Sequence, residues 1–310
     1  MRTRISLTFS FLTASLTAPL AQAEDLAFHN ILTVSRSIIS PSQYYQMKEG
    51  ILIEAAAATV DGSLDVRSNT FAAERDIKGS ELNGGAFLAI NPSLVFGVTS
   101  SQTNLHVKAT GKVEERSVNP SVAYSPIAAL TLGAQINLLR GENKPQTTPT
   151  IHRKTNNFAF GMTAHEETWE ATAVLSTAKK DEDNAFNSLP QTIGLHGRYR
   201  VFEPVTLGLT YEQSDYTAVT PDSVDSKDQS HVGVHVEAAM SENFSLELDY
   251  TATHNESGVN KRTENETVIL WQFLINPTLE GGAKLTYNTL SAPNTEVKRV
   301  SPGLFVAARF

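Results

Sequence analysis

A hairpin unit that recurs along the chain constrains its fold more than any other feature. A stretch of alternating apolar and polar residues ends at a short turn, a second such stretch leaves at once, and a longer polar segment follows. Turns are expected at Asn91-Pro92, Ser125-Pro126, Glu166-Glu167, Glu203-Pro204, Ser241-Glu242 and Asn276-Pro277, spaced 34 to 41 residues apart. Pro suits a turn because it presets φ and donates no hydrogen bond. Two of the turns are near copies, Ile90-Asn91-Pro92-Ser93-Leu94 and Ile275-Asn276-Pro277-Thr278-Leu279.

The flanking segments read as strands. Val232, Val234, Val236 and Ala238 share one face and His231, Gly233, His235 and Glu237 the other. Phe244, Leu246, Leu248 and Tyr250 likewise oppose Ser245, Glu247, Asp249 and Thr251. Val205, Leu207, Leu209 and Tyr211 oppose Thr206, Gly208, Thr210 and Glu212, and Phe158, Phe160 and Met162 oppose Asn157, Ala159 and Gly161. Period two with one polar face is the half-buried strand signal. A β-sandwich of an exported protein would show it too.

The C-terminal residues favour a barrel. Phe310, Ala308, Val306 and Leu304 form one apolar face of a stretch that ends on an aromatic residue. Chain ends fray, so a bare terminal Phe has little to pack against in a soluble domain, whereas the closing strand of a membrane barrel turns such a face to lipid. This terminus resembles the closing strand of bacterial outer-membrane β-barrels, although many of those carry an aromatic or large apolar residue where Ala308 stands. The resemblance implies that Phe310 is the assembly signal read by the barrel-assembly machinery. It also implies an outer membrane of a Gram-negative bacterium as the location, with its lipid as a partner.

The N-terminus agrees. Arg2 and Arg4 precede an uncharged apolar run from Ile5 to Leu20, and Ala21-Gln22-Ala23 is a small-x-small cleavage site. Residues 1–23 are therefore expected to be a signal peptide. Residues 24–49 lack the period-two pattern and are expected to be a periplasmic N-terminal segment or a plug folded into the lumen. Residues 50–310 would be the barrel. No uninterrupted apolar run after the signal is long enough for a membrane helix, and cysteine is absent, which removes disulfides and thiolate chemistry. The net charge of −8, with no basic stripe, argues against nucleic acid as a partner.

Counting segments gives an all-β, transmembrane, antiparallel up-and-down barrel of fourteen strands, each of about ten residues, with twelve as the alternative. An even count returns the chain to its starting side, so both ends and the tight turns would lie in the periplasm and the longer loops outside.

Function would lie in the lumen. Small inward residues, among them Gly85, Gly97, Gly133, Gly161, Gly208, Gly233 and Gly282, are read as leaving space for a pore. Candidate pore-lining residues are the acids Glu54, Glu81, Glu170, Glu212, Glu237, Glu247 and Asp249, the bases Arg198, Arg200 and Lys284, and His235. Arg309 is a further inward base. Opposed charges across a lumen resemble the constriction field of general porins, and by size and strand count the chain resembles the small monomeric fourteen-stranded porins. The expected function is an outer-membrane channel for passive diffusion of small polar solutes or ions. The alternative is a non-conducting structural or adhesin-type barrel that binds partners through loops such as Thr217 to Gln229 and Lys179 to Gln191.

Catalytic signals are weak. On a strand His231 and His235 stand about 13 Å apart, too far to share one metal ion. His254-Asn255-Glu256-Ser257 joins a His and a Ser in a polar loop without an evident oxyanion donor. His165-Glu166-Glu167 falls at a turn. No phosphate loop or dinucleotide fingerprint is present, so no enzyme activity, cofactor or metal is expected, with an outer-membrane hydrolase as the less favoured alternative.

Overall fold

A computed structural model describes residues 50–68, 71–146, 149–180, 188–215, 229–255, 262–292 and 294–310. The expected signal peptide and the segment 24–49 lie outside these residues. The described residues form fourteen antiparallel strands: β1 (Gly50–Ser68), β2 (Phe71–Asn91), β3 (Leu94–Val107), β4 (Gly111–Ile127), β5 (Leu130–Pro145), β6 (Ile151–His165), β7 (Trp169–Ser176), β8 (Gln191–Phe202), β9 (Val205–Asp215), β10 (Gln229–Ser241), β11 (Phe244–Asn255), β12 (Arg262–Asn276), β13 (Leu279–Ala292) and β14 (Thr295–Arg309). Each strand pairs with its sequence neighbours, and β14 pairs back with β1 to close a barrel.

Closure reaches the last residue. Phe310 donates its amide to the Ile51 carbonyl at 2.8 Å, and Ile51 donates to the Phe310 carbonyl at 2.9 Å. The Phe310 side chain points outward and is 77 % exposed, with Leu304 at 69 % on the same face. The outer surface is an apolar belt in which Ile51 and Ile53 on β1, Phe96 and Val98 on β3, and Leu207, Leu209 and Tyr211 on β9 all stand exposed. The alternate residues of the same strands face inward, including buried Leu52, Glu54, Thr99 and Glu212. Such inversion, apolar outside and polar within, suits a wall set in lipid.

Strand lengths depart from the expected ten or so, running from 8 residues in β7 to 21 in β2. Several polar stretches read as loops are strand instead. The connections between β1 and β2, β3 and β4, and β13 and β14 shrink to residues 69–70, 108–110 and 293–294. Beyond a membrane the backbone still gains by pairing, and a hairpin wet on both faces needs no apolar side chain to mark it.

The turns follow the expectation with local shifts. Asn91, Ser241 and Asn276 still close the ladder, against Leu94, Phe244 and Leu279. The two near-copied turns share a device: the Asn91 and Asn276 side-chain oxygens accept the amides of Ser93 and Thr278, each at 2.9 Å. Ser125-Pro126 is not a turn. It belongs to β4, at a register shift between Tyr124 and Ile127 where a missing donor is tolerated, and the turn itself is Ala128-Ala129.

The interior is not polar throughout. Near the tight turns, Leu52, Phe87, Ala89, Val95, Ala123 and Ala307 form a buried apolar cluster on the inner face. Gly97 makes room for it, since a Cβ there would stand 2.7 Å from the Phe87 ring.

Because the terminal residue closes the ladder, deleting Phe310 should strip Ile51 of both main-chain partners inside a membrane, where unsatisfied backbone groups cost several kcal/mol each. The expected result is a large loss of the heat-modifiable folded form on gels, with Phe310→Ala affected less because it keeps both hydrogen bonds.

Candidate functional site

Register gathers most of the charged candidates into two adjacent rows on the inner wall. One row runs Glu170, Arg198, Gly208, His235, Asp249 across β7 to β11. The next runs Arg200, Thr206, Glu237, Glu247, Leu270, Lys284, Gly303, Ala58, Glu81, continuing through β12, β13, β14 and β1 to β2. Glu54 and Glu212 lie outside these rows.

Within the first row Arg198 donates from Nη2 to Glu170 Oε2 at 2.8 Å, and both side chains are largely buried. Gly208 separates Arg198 from His235, and a Cβ there would stand 3.0 Å from His235 Cβ and 3.3 Å from Arg198 Cγ. The glycine therefore seats two charged side chains. Gly282 does the same for Phe305, whose ring would collide with any Cβ. At Gly97, Gly208, Gly233 and Gly282 this corrects the reading of inward glycines as empty lumen: the space they vacate is taken by neighbouring side chains.

His235 is the centre of an acidic group. Its Nδ1 lies 2.6 Å from Asp249 Oδ1 and 3.4 Å from Glu247 Oε1, and its Nε2 lies 3.9 Å from Glu237 Oε2. Two strands away, His196 Nε2 stands 3.5 Å from Glu212 Oε1, and its Nδ1 is within 3.2 Å of Thr210 Oγ1. Glu212 and Glu247 are each 1 % exposed, so these acids are built into the wall and do not stand in open water. Near the turns, Glu54 and Glu280 flank Ala307 in register, and Arg309 Nη2 is 3.4 Å from Glu280 Oε1.

Glu81 and Lys284 are placed differently. They face each other across Ala58 and Gly303, with Cα atoms about 14 Å apart over three strand spacings. A cavity of about 20 Å³ lies between them over Ala56, Ala58 and Phe305. Arg200 is half-buried beside Thr206.

A barrel with this inside-out pattern is matched by one family model. Residues 83–288 fit the Gram-negative porin model, which is more than half of the chain. The chain belongs to the Gram-negative porin family. Its place is the outer membrane. No curated protein matches it by sequence. Among solved structures this porin is similar in fold to a FadL homologue of Pseudomonas aeruginosa, at TM-score 0.69 and 8 % identity, over 88 % of this chain and 93 % of that one. It is similar also to the toluene transporter TbuX of Ralstonia pickettii, at TM-score 0.66 and 10 % identity, over 87 % and 92 %. The toluene transporter TodX of Pseudomonas putida gives TM-score 0.63 and 9 % identity, over 88 % and 93 %. At these identities the likeness is one of fold.

His235, Glu247 and Asp249 bring one donor atom each to within 4.8 Å of one another. The 2.6 Å between Nδ1 and Oδ1 is a hydrogen bond, shorter than the ~3 Å that separates two ligands of a shared tetrahedral ion. The group is thus arranged to hold a proton between its members. His231 goes elsewhere, to Thr253 Oγ1 at 2.8 Å. Glu166 accepts the Trp169 indole at the turn, at 3.0 Å, and Ser257 lies outside the described residues.

Sequence reasoning missed His196 and Glu280, and also the Glu264–Arg299–Asn288 network, in which Arg299 Nη2 donates to Asn288 Oδ1 at 3.0 Å and Asn288 donates to Glu264 Oε1 at 2.7 Å. His196 was findable, because it shares the inward face with Arg198 two residues on. Glu280 sits just past a turn and Glu264 just past a connection, where acids ordinarily meet water.

Removing one partner of a buried pair leaves the other charged in a poor solvent. Arg198→Ala should cost about 3 kcal/mol or more through the stranded Glu170, and adding Glu170→Gln should restore part of it. Urea unfolding in lipid vesicles, read by tryptophan fluorescence, measures both, with Trp169 beside the pair as a reporter.

Proposed function

We propose that this porin is a passive channel carrying small polar solutes or ions across the outer membrane, with the tight turns in the periplasm and the longer connections outside. The observation that carries the reading is the inner wall, where charges of both signs run in register from β7 around to β2. Lining the inside of a barrel with so many polar, ionisable side chains is costly unless they serve a polar path. Glu81 and Lys284 face each other over the small-residue floor, and the paired charges fix the wall behind them.

A second reading has its own support. The buried cluster around Leu52 and Phe87 offers an apolar stretch near the turns, and the fold neighbours include proteins described as monoaromatic hydrocarbon channels. Small aromatic compounds would then be the cargo, crossing a barrel whose polar rows act as structure.

Proteoliposome swelling separates the two. The first reading expects swelling with sugars and amino acids in proportion to protein. No swelling with any polar solute, together with protein-dependent uptake of toluene, would replace it with the second. Selectivity follows the same logic: Lys284→Gln should move the reversal potential in a salt gradient toward cations, whereas Glu247→Gln should move it little, because Glu247 is closed off from solvent. The shift should shrink at high salt as screening tightens.

A further inference from the structure

The inward charges of β7 to β11, Arg200 apart, are held by the protein itself. Arg198 is taken up by Glu170, and His235 by Asp249, Glu247 and Glu237. Glu81 and Lys284 differ. Among the described residues neither forms an ion pair or a side-chain hydrogen bond, and both are half-buried, with part of their surface open. Leu270 accounts for the isolation of Lys284 on one side. It is fully buried and stands between Lys284 and Glu247 in register, so the acid next along the row is screened from the lysine. Beyond Glu81 the row continues with Thr103, which carries no charge.

Between the two charges the wall is as low as a sheet can be. Ala58 and Gly303 are the residues that separate them. A Cβ on Gly303 would stand 2.7 Å from the Ala57 carbonyl oxygen and 2.8 Å from Ala58 Cβ, so the neighbouring strand already fills that space. The hollow of about 20 Å³ over this floor has room for one small group, on the order of a single water. Asn83 and Thr286 border it, each two residues from one of the charges and on the same face, and the Phe305 ring borders it on the turn side.

A charge kept from water without a partner is costly, and here two of opposite sign stand at the two ends of one hollow. A ligand of single charge would satisfy one end and leave the other. We propose that Glu81 and Lys284 bind a small zwitterion of the α-amino-acid class, its carboxylate on Lys284, its ammonium group on Glu81 and its carbon atoms over Ala58 and Gly303. The lysine ammonium only donates and the ionised glutamate only accepts, so each end selects its counterpart through charge-assisted hydrogen bonds. In the polar-channel reading of this lumen, on which the assignment depends, the pair gives the path a preferred solute class.

Uptake into proteoliposomes of labelled L-alanine, and of neutral lactamide of similar size, tests this. In wild type, alanine entry should saturate with concentration while lactamide entry rises in proportion to it. Unlabelled alanine should compete, whereas alaninamide and lactate, with one charge each, should compete about tenfold more weakly, the worth of one lost charge-assisted hydrogen bond. E81Q/K284Q should raise the half-saturating alanine concentration about tenfold or more, and E81K/K284E should recover part of the loss, because a zwitterion can bind end for end. Alanine entry that is linear beside lactamide entry, equal competition by the singly charged analogues, an unchanged half-saturation in the double glutamine variant, or a charge swap no better than that variant would each overturn the site and leave the channel standing. Entry of neither solute would overturn the channel and the site with it. If the variants fail to fold, the competition series in wild type decides by itself.

Discussion

The closing ladder between β1 and β14 is the contact on which the rest of this barrel depends. In hydrocarbon a backbone amide or carbonyl has no water to turn to, so an open sheet edge is excluded and the first strand must find the last. Thirteen residues of β1, from Leu52 to Val66, keep their places opposite β14, and the terminal residue extends the same ladder through Ile51. Once that register is set, period two decides which side chains meet lipid and which face inward.

The same register explains how a narrow wall holds so many charges. Arg198 reaches Glu170 because the two stand directly opposite, and His235 reaches Asp249 for the same reason. Glycine at 208, between Arg198 and His235, lets both side chains lie against the sheet. Charge and small residue are two halves of one arrangement, since a side chain at 208 would press on both His235 and Arg198 and force them to give.

Much of this was legible in the sequence. The alternation of Val232 to Ala238 and of Phe244 to Tyr250 gave strand, face and neighbour together, and the terminal Phe310 pointed to closure. The inward side of every charged candidate followed from parity alone. Other features left a weaker trace. The length of β2 could not be read, because polar residues of a hairpin in water look like those of a loop. Ser125-Pro126 looked like a turn, since the register shift that lets Pro126 stay in a strand has no sequence mark. The apolar interior near the turns had a signal that parity obscured: Ile51-Leu52-Ile53 and Phe87-Leu88-Ala89-Ile90 are apolar on both faces, which means that both sides are dry. Which charges pair with which, as in His196 with Glu212, required the strand order and the register.

The central claim, that a single parity divides lipid from interior, is open to direct measurement because the chain has no cysteine of its own. Spin labels placed singly at Val232, Gly233, Val234, His235 and Val236 of β10, in the barrel reconstituted into vesicles, report contact with dissolved oxygen, which concentrates in lipid. The account predicts high oxygen accessibility at Val232, Val234 and Val236 and low accessibility at Gly233 and His235. A profile that is flat, or that peaks at Gly233 and His235, would contradict it.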